Sequence, residues 1–179
     1  HPLNSGYGPN AYVSCIEQDD TFLTLSIFGN FTLIGVIAAV RFGYYPILDG
    51  DSDGLDADYS DGGDDYSAAP VQTVYDHTRQ IMYVRGPFAT VDGVTVDGLY
   101  YYNIPLNARG TISRSGINGG STTVPDGFCI DNDSNLIIIN DTSTVADTRG
   151  IFKWDWNAWS AIVGVSPIVI SSVVDALDI

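Results

Sequence analysis

"CIDNDSNLIII", residues 129–139, reads as a short strand, a tight polar turn and a second strand. Asp131, Asp133 and Asn135 stand at its centre, and such side chains form turns by hydrogen-bonding their own backbone. Apolar residues flank them on both sides, which is the pattern of a β-hairpin. A near copy, "CIEQDDTFLTL", occupies residues 15–25, and a weaker one, "VYDHTRQIMYV", residues 74–84. Cys15-Ile16-Glu17 lines up with Cys129-Ile130-Asp131, and Phe22, Leu23 and Leu25 with Leu136, Ile137 and Ile139. Val74, Asp76, Ile81, Met82 and Val84 fall on the same columns.

A second block follows each hairpin: "GNFTLIGV" from Gly29, "GLYYYNIP" from Gly98 and "GIFKWDW" from Gly150. A further apolar stretch closes each unit: "AAVRFGYYPI", "RGTISRSGI" and "WSAIVGVSPIVI". The sequence thus predicts one all-β domain over 1–179 with internal repeats near 12–70, 71–124 and 125–179. Each repeat is a unit of about four strands, the kind of repetition found in symmetric β architectures. The alternative is a β-sandwich whose repeated hairpins come from both sheets.

Composition agrees. Of 22 acidic residues only Glu17 is Glu, and Lys153 is the only lysine. Asp suits turns, whereas Glu and Lys belong on helix surfaces. Hydrophobic residues make up 45% and charged residues 16%, enough for a packed core. A net charge of −15 argues against nucleic acid or an anionic membrane surface as partner, because both require cationic patches. The uncharged stretches 21–40 and 156–174 are too interrupted by Thr, Ser, Gly, Asn and Pro to span a membrane. Both read as strand pairs. The opening His1-Pro2 without Met reads as a processed mature form, or as an arbitrary boundary.

Two resemblances attach to the hairpin. "PDGFCIDNDSNLIIINDT" with "GIFKWDW" resembles a blade of the NHL or SMP-30-like propellers. Asp131-x-Asp133-x-Asn135-x-Ile137-x-Ile139 is similar to the bulb-lectin repeat Q-x-D-x-N-x-V-x-Y, which implies a mannose site on a three-fold β-prism. Asp131 stands in the place of its Gln and Ile139 in the place of its Tyr. Both resemblances imply a repetitive all-β fold.

The candidate sites are few. Residues 49–65, "DGDSDGLDADYSDGGDD", hold eight Asp. Asp49, Asp51 and Asp53 with Gly54 form D-x-D-x-D-G, in which alternate carboxylates converge on a hard cation; Asp56, Asp58 and Asp61 extend the set. Calcium is the cofactor this predicts, and a solvated acidic loop is the alternative. His1 and His77 are the only histidines. An N-terminal His with a second His is similar to the copper brace of lytic polysaccharide monooxygenases, since imidazole suits copper; otherwise His77 is a surface turn residue. Asn30, Asn132 and Asn140 open glycosylation sequons. Cys15 and Cys129 hold matching positions and, in a secreted chain, are expected to pair. Closing that loop would contribute roughly 4–5 kcal/mol, provided the Cα atoms lie about 4.4–6.8 Å apart. Tyr100 and Tyr102 share one strand face, opposite Tyr101, and with Trp154 and Trp156 either stack on sugars or fill the core.

No G-x-S-x-G and no Cys/His pair supports a nucleophile, so the reading favours a protein that is not an enzyme. It points to a secreted or cell-surface structural protein that self-associates through β edges into a fibre or ordered oligomer. The near-uncharged terminal stretch 160–179, broken at Pro167, is the expected donor. A carbohydrate-binding, lectin-like module with glycan partners and a copper-dependent polysaccharide oxidase are the alternatives.

Overall fold

The computed structural model describes residues 9–19, 24–35, 37–46, 60–61, 66–96, 98–103, 106, 108–114, 124–140 and 150–163. Among them all regular structure is β, and no helix is long and apolar enough to cross a membrane. The first unit contains β1 (Val13–Asp19), β2 (Thr24–Gly29), β3 (Leu33–Ile34), β4 (Ile37–Ala38), β5 (Phe42–Pro46) and β6 (Ser60–Asp61). The second contains β7 (Gln72–Asp76), β8 (Ile81–Arg85), β9 (Thr90–Val91), β10 (Val94–Thr95), β11 (Leu99–Asn103) and β12 (Ala108–Thr111). The third contains β13 (Gly127–Ile130), β14 (Leu136–Asn140), β15 (Gly150–Trp154) and β16 (Trp159–Val163).

Three four-stranded antiparallel sheets result, ordered β1-β2-β5-β6, β7-β8-β11-β12 and β13-β14-β15-β16. The all-β fold of three four-stranded units is therefore the observed one. Two-stranded ribbons, β3-β4 and β9-β10, interrupt the first two sheets between their second and third strands.

The sheets stack in chain order. Cys15, Phe28, Phe42 and Tyr44 on one face of the first sheet pack against Tyr75, Met82, Val84, Tyr100 and Tyr102 of the second. Val74, Ile81, Tyr83, Leu99 and Tyr101, on the second sheet's other face, pack against Phe128, Ile130, Leu136, Ile138 and Phe152 of the third. The middle sheet is thus covered on both sides. That accounts for Ile81-Met82-Tyr83-Val84, four consecutive buried side chains where a half-exposed strand would alternate. Each such burial is worth about 1.5–3 kcal/mol.

The sheets converge on their first strands: backbones of different sheets come closest between β1 and β7 and between β7 and β13. Ser14 Oγ donates to the Pro70 carbonyl across the first junction, and Thr73 Oγ1 to Glu17 Oε2 at 3.3 Å. Gln72 Nε2 donates to the Phe128 carbonyl across the second, at 3.1 Å.

The backbone pairings of the first two units correspond at a constant offset of 57 positions, as from Gly29 to Gly86 or Pro9 to Tyr66. Asp19 pairs with Thr24 as Asp76 pairs with Ile81. Gly29 and Gly86 sit where a first strand begins beneath the end of the second. A Cβ at Gly29 would lie 2.1 Å from the Tyr12 carbonyl oxygen, and one at Gly86 would lie 2.9 Å from Pro70 Cα. This register corrects the expected alignment. Cys15, opposite Phe28, corresponds to Gln72, opposite Arg85, and not to Val74. The third hairpin is tighter: Asp131 N–H bonds the Asn135 carbonyl, so residues 132–134 form the loop, whereas 77–80 form the second. Phe22 and Leu23 lie outside the described residues.

Candidate functional site

Two hairpin turns meet through polar side chains. Asp76 ends β7. Its Oδ1 accepts from Thr78 N–H at 2.9 Å and Arg79 N–H at 3.1 Å, which pins the turn as an Asx motif. The same oxygen accepts from Ser134 Oγ at 3.0 Å, across the junction with the third sheet. Arg79 donates through Nη1 to the Ser134 carbonyl at 2.6 Å, and its guanidinium lies over the Trp156 ring at 5.2 Å. Asp76 is only 3% exposed and Ser134 only 6%, so this clamp between two turns is buried.

Aromatic rings close around it. Trp156 lies 6.1 Å from Tyr83 and meets Tyr101 edge-on at 5.7 Å. It adopts a left-handed backbone conformation, φ 75°, in the turn joining β15 to β16. Asp76 Oδ2, Tyr83 Oη and the Trp154 and Trp156 Nε1 atoms are buried without a hydrogen-bond partner among the described residues. Burial pushes the Tyr83 phenol up, the adjacent Asp76 carboxylate pushes it further, and Arg79 offsets part of this. Tyr83 is therefore a neutral hydroxyl at physiological pH. It can donate a hydrogen bond there.

The hairpin quoted at the outset is built the same way. Asp131 Oδ1 accepts from Asp133 N–H at 3.0 Å, Asn135 N–H at 2.8 Å and Asn135 Nδ2 at 3.0 Å, while Oδ2 accepts from Asn135 Nδ2 at 2.9 Å. Burial pushes this carboxyl up, but the bonds from Asn135 and Asp133, with Lys153 nearby, hold it below the ordinary range. Asp155 Oδ1 likewise caps Asn157 and Ala158 N–H, and those bonds lower its pKa. The recurrent Asp is thus a turn staple. Asp131 and Asn135, two residues of the bulb-lectin pattern, are bonded to each other.

The expected pairing of Cys15 and Cys129 is not formed, and both are free thiols. Cys15 faces the second sheet, while Cys129 lies on the face of the third sheet opposite Phe128 and Ile138. Strand β7 of the second sheet lies between them and Cys129 points away from it, so the two thiols are beyond a disulfide's reach. Burial raises both thiols; Ser14 and Thr73 oppose this at Cys15, and Asp131 adds to it at Cys129.

Tyr100 and Tyr102 do not form a sugar-stacking row: both are buried between the first two sheets. Trp154 and Trp156 are partly buried against the core between the second and third sheets. His77 is an exposed turn residue, edge-on to Tyr75 at 4.8 Å; His1 lies outside the described residues. Asp61 stands in β6, paired with Gly43, whereas Asp49, Asp51, Asp53, Asp56 and Asp58 lie outside, as does the stretch from 164 onward. Among the described residues no three His, Cys, Asp or Glu side chains are grouped as metal ligands. Asn30 and Asn132 are exposed. Asn140 is in β14.

Sequence reading missed the arginines. Arg41 donates to the Tyr66 carbonyl, Arg79 to that of Ser134 and Arg85 to that of Pro125. Each fastens one unit to the start or turn of the next. The scarcity of basic residues was the sole hint that those present have fixed structural partners. Compared with models of known protein families and with curated proteins, the chain matches none.

Proposed function

We propose that this protein is an extracellular structural or surface protein that self-associates through its sheets into a fibre or ordered oligomer. Calcium on residues 49–65 and glycans on Asn30 or Asn132 would be accessories to that role. The carrying observation is strand β16, "WSAIV", the edge strand of the third sheet among the described residues. It bears no charge, and Ala161 and Ile162 are exposed. Edge strands are ordinarily guarded by lysine, proline or a cover, because their unpaired backbone groups template further pairing. The use of Asp76, Asp131 and Asp155 as turn staples, and of Arg41, Arg79 and Arg85 as ties between units, supports a scaffold role for the hairpins. Stacking in chain order with convergence on the first strands supports the propeller resemblance. Sedimentation of the native chain over a concentration series, with and without calcium, tests the proposal. Concentration-dependent assembly that Ala161→Lys weakens is expected; a monomer at every concentration refutes it.

A further inference from the structure

The clamp between the second and third hairpins contains buried polar atoms that it does not itself pair. Val74 stands opposite Tyr83 and Asp76 opposite Ile81, so Asp76 and Tyr83 are diagonal neighbours on the face turned to the third sheet. Asp76 is 3% exposed and Tyr83 0%. Asp76 Oδ1 is taken by Thr78, Arg79 and Ser134. Its Oδ2 has no hydrogen-bond partner among the described residues, and neither have Tyr83 Oη and Trp156 Nε1. The carboxylate is near enough to push the Tyr83 phenol up, yet no direct bond joins the two. Polar groups held that close and still unbonded are spaced for one intervening hydroxyl.

The stacking of sheets does not require this set. Ser26 pairs with Glu17 and Tyr44 as Tyr83 pairs with Val74 and Tyr101, and Ser26 is buried too. A small side chain therefore serves at that place between the first two sheets, where the next interface holds a phenol beside a carboxylate. Trp156 joins the set from the third sheet. Its ring lies 6.1 Å from Tyr83 and beneath the Arg79 guanidinium, whose Nη1 donates to the Ser134 carbonyl. Its φ of 75° is a conformation that bulky residues rarely adopt, and residues so held cluster at ligand sites.

Donors and acceptors define the guest. Asp76 Oδ2 accepts, Trp156 Nε1 donates, and Tyr83 Oη does either. One small group that meets them all must both donate and accept. The carboxylate repels an anion, while the Arg79 guanidinium and the indole N–H disfavour a bare cation. We propose that Asp76 Oδ2, Tyr83 Oη and Trp156 Nε1 form a binding site for a neutral hydroxyl, either a held water molecule or an alcohol group of a polyol, with the Trp156 indole as its outer wall. The site is independent of self-association.

The test is a crystal structure of the full chain grown and frozen without polyol, and a second after soaking in glycerol. A density peak within about 3.2 Å of both Asp76 Oδ2 and Tyr83 Oη is expected. A water-sized peak in both crystals identifies water as the guest. Glycerol density in the second identifies the polyol, provided that glycerol also gives a saturable change of tryptophan fluorescence in solution. Tyr83→Phe keeps the ring and removes the hydroxyl; Trp156→Phe removes the indole donor. With water as guest, oxygen-17 relaxation dispersion should count one long-lived internal water fewer in Tyr83→Phe than in the parent. With a polyol, both variants should lose the fluorescence response. Tyr83 Oη bonded directly to Asp76 Oδ2, with no density between other groups of the set, overturns the proposal. So does a parent whose dispersion equals that of Tyr83→Phe and which shows no saturable response to glycerol.

Discussion

Replacing Asp76 by Ala removes a carboxylate that serves two hairpins at once. Its Oδ1 accepts from Thr78 N–H, Arg79 N–H and Ser134 Oγ. Hydrogen bonds to charged groups contribute about 1.5–3 kcal/mol each, but they do not add when one atom accepts all three. The turn N–H groups can bond to water once released. The Ser134 hydroxyl, 6% exposed, would be left buried. Loss of Oδ2, which has no partner among the described residues, offsets a part. The expected destabilisation is about 2–4 kcal/mol, against about 1 kcal/mol for Ser134→Ala. For a chain of this length the Asp76→Ala change lowers Tm by on the order of 10 °C. Urea unfolding followed by tryptophan fluorescence gives both values, and the double variant closes the cycle. A coupling of about 1–2 kcal/mol between positions 76 and 134 is expected. Stability within about 0.5 kcal/mol of the parent for Asp76→Ala, or zero coupling, would show that the clamp between the second and third sheets does not hold them.

Gly29→Ala and Gly86→Ala should each cost about 1–3 kcal/mol, because the new methyl meets backbone at 2.1 Å and 2.9 Å; unchanged denaturation midpoints would disprove the close approach. Asp131→Ala should cost about 1 kcal/mol at neutral pH. Its folded pKa is depressed, so the staple's contribution is present above the unfolded value near ~3.9 and is lost as pH falls through the folded pKa. The gap between parent and variant should therefore narrow in acid, and a gap that widens instead contradicts the assignment. Tyr83 has the opposite sign: its phenol is raised, so stability declines as pH climbs past about 10, where the unfolded chain ionises first. Tyr83→Phe should flatten that alkaline limb. Both cysteines should titrate with a thiol reagent after denaturation and react slowly in the folded chain; a mass two hydrogens short would indicate a disulfide.

Sequence alone determined the class of structure and the character of the turns, because both arise from interactions within a few residues. Period-two alternation marks strands, and Asp131 finds its partners at Asp133 and Asn135. The repeat was legible for the same reason, but its register was not. Aligning Cys15, Val74 and Cys129 assumes one loop length, whereas the third hairpin turns in 132–134 and the second in 77–80. The arrangement of layers was equally out of reach. Alternation says that a strand has two faces and does not say what covers each. Only the stacking order buries Ile81-Met82-Tyr83-Val84 on both sides, hides Tyr100 and Tyr102, and places β7 between Cys15 and Cys129. It also brings Asp76 to Ser134, fifty-eight positions apart. Local periodicity carries no information about a pairing of that kind, because it depends on which sheet packs against which.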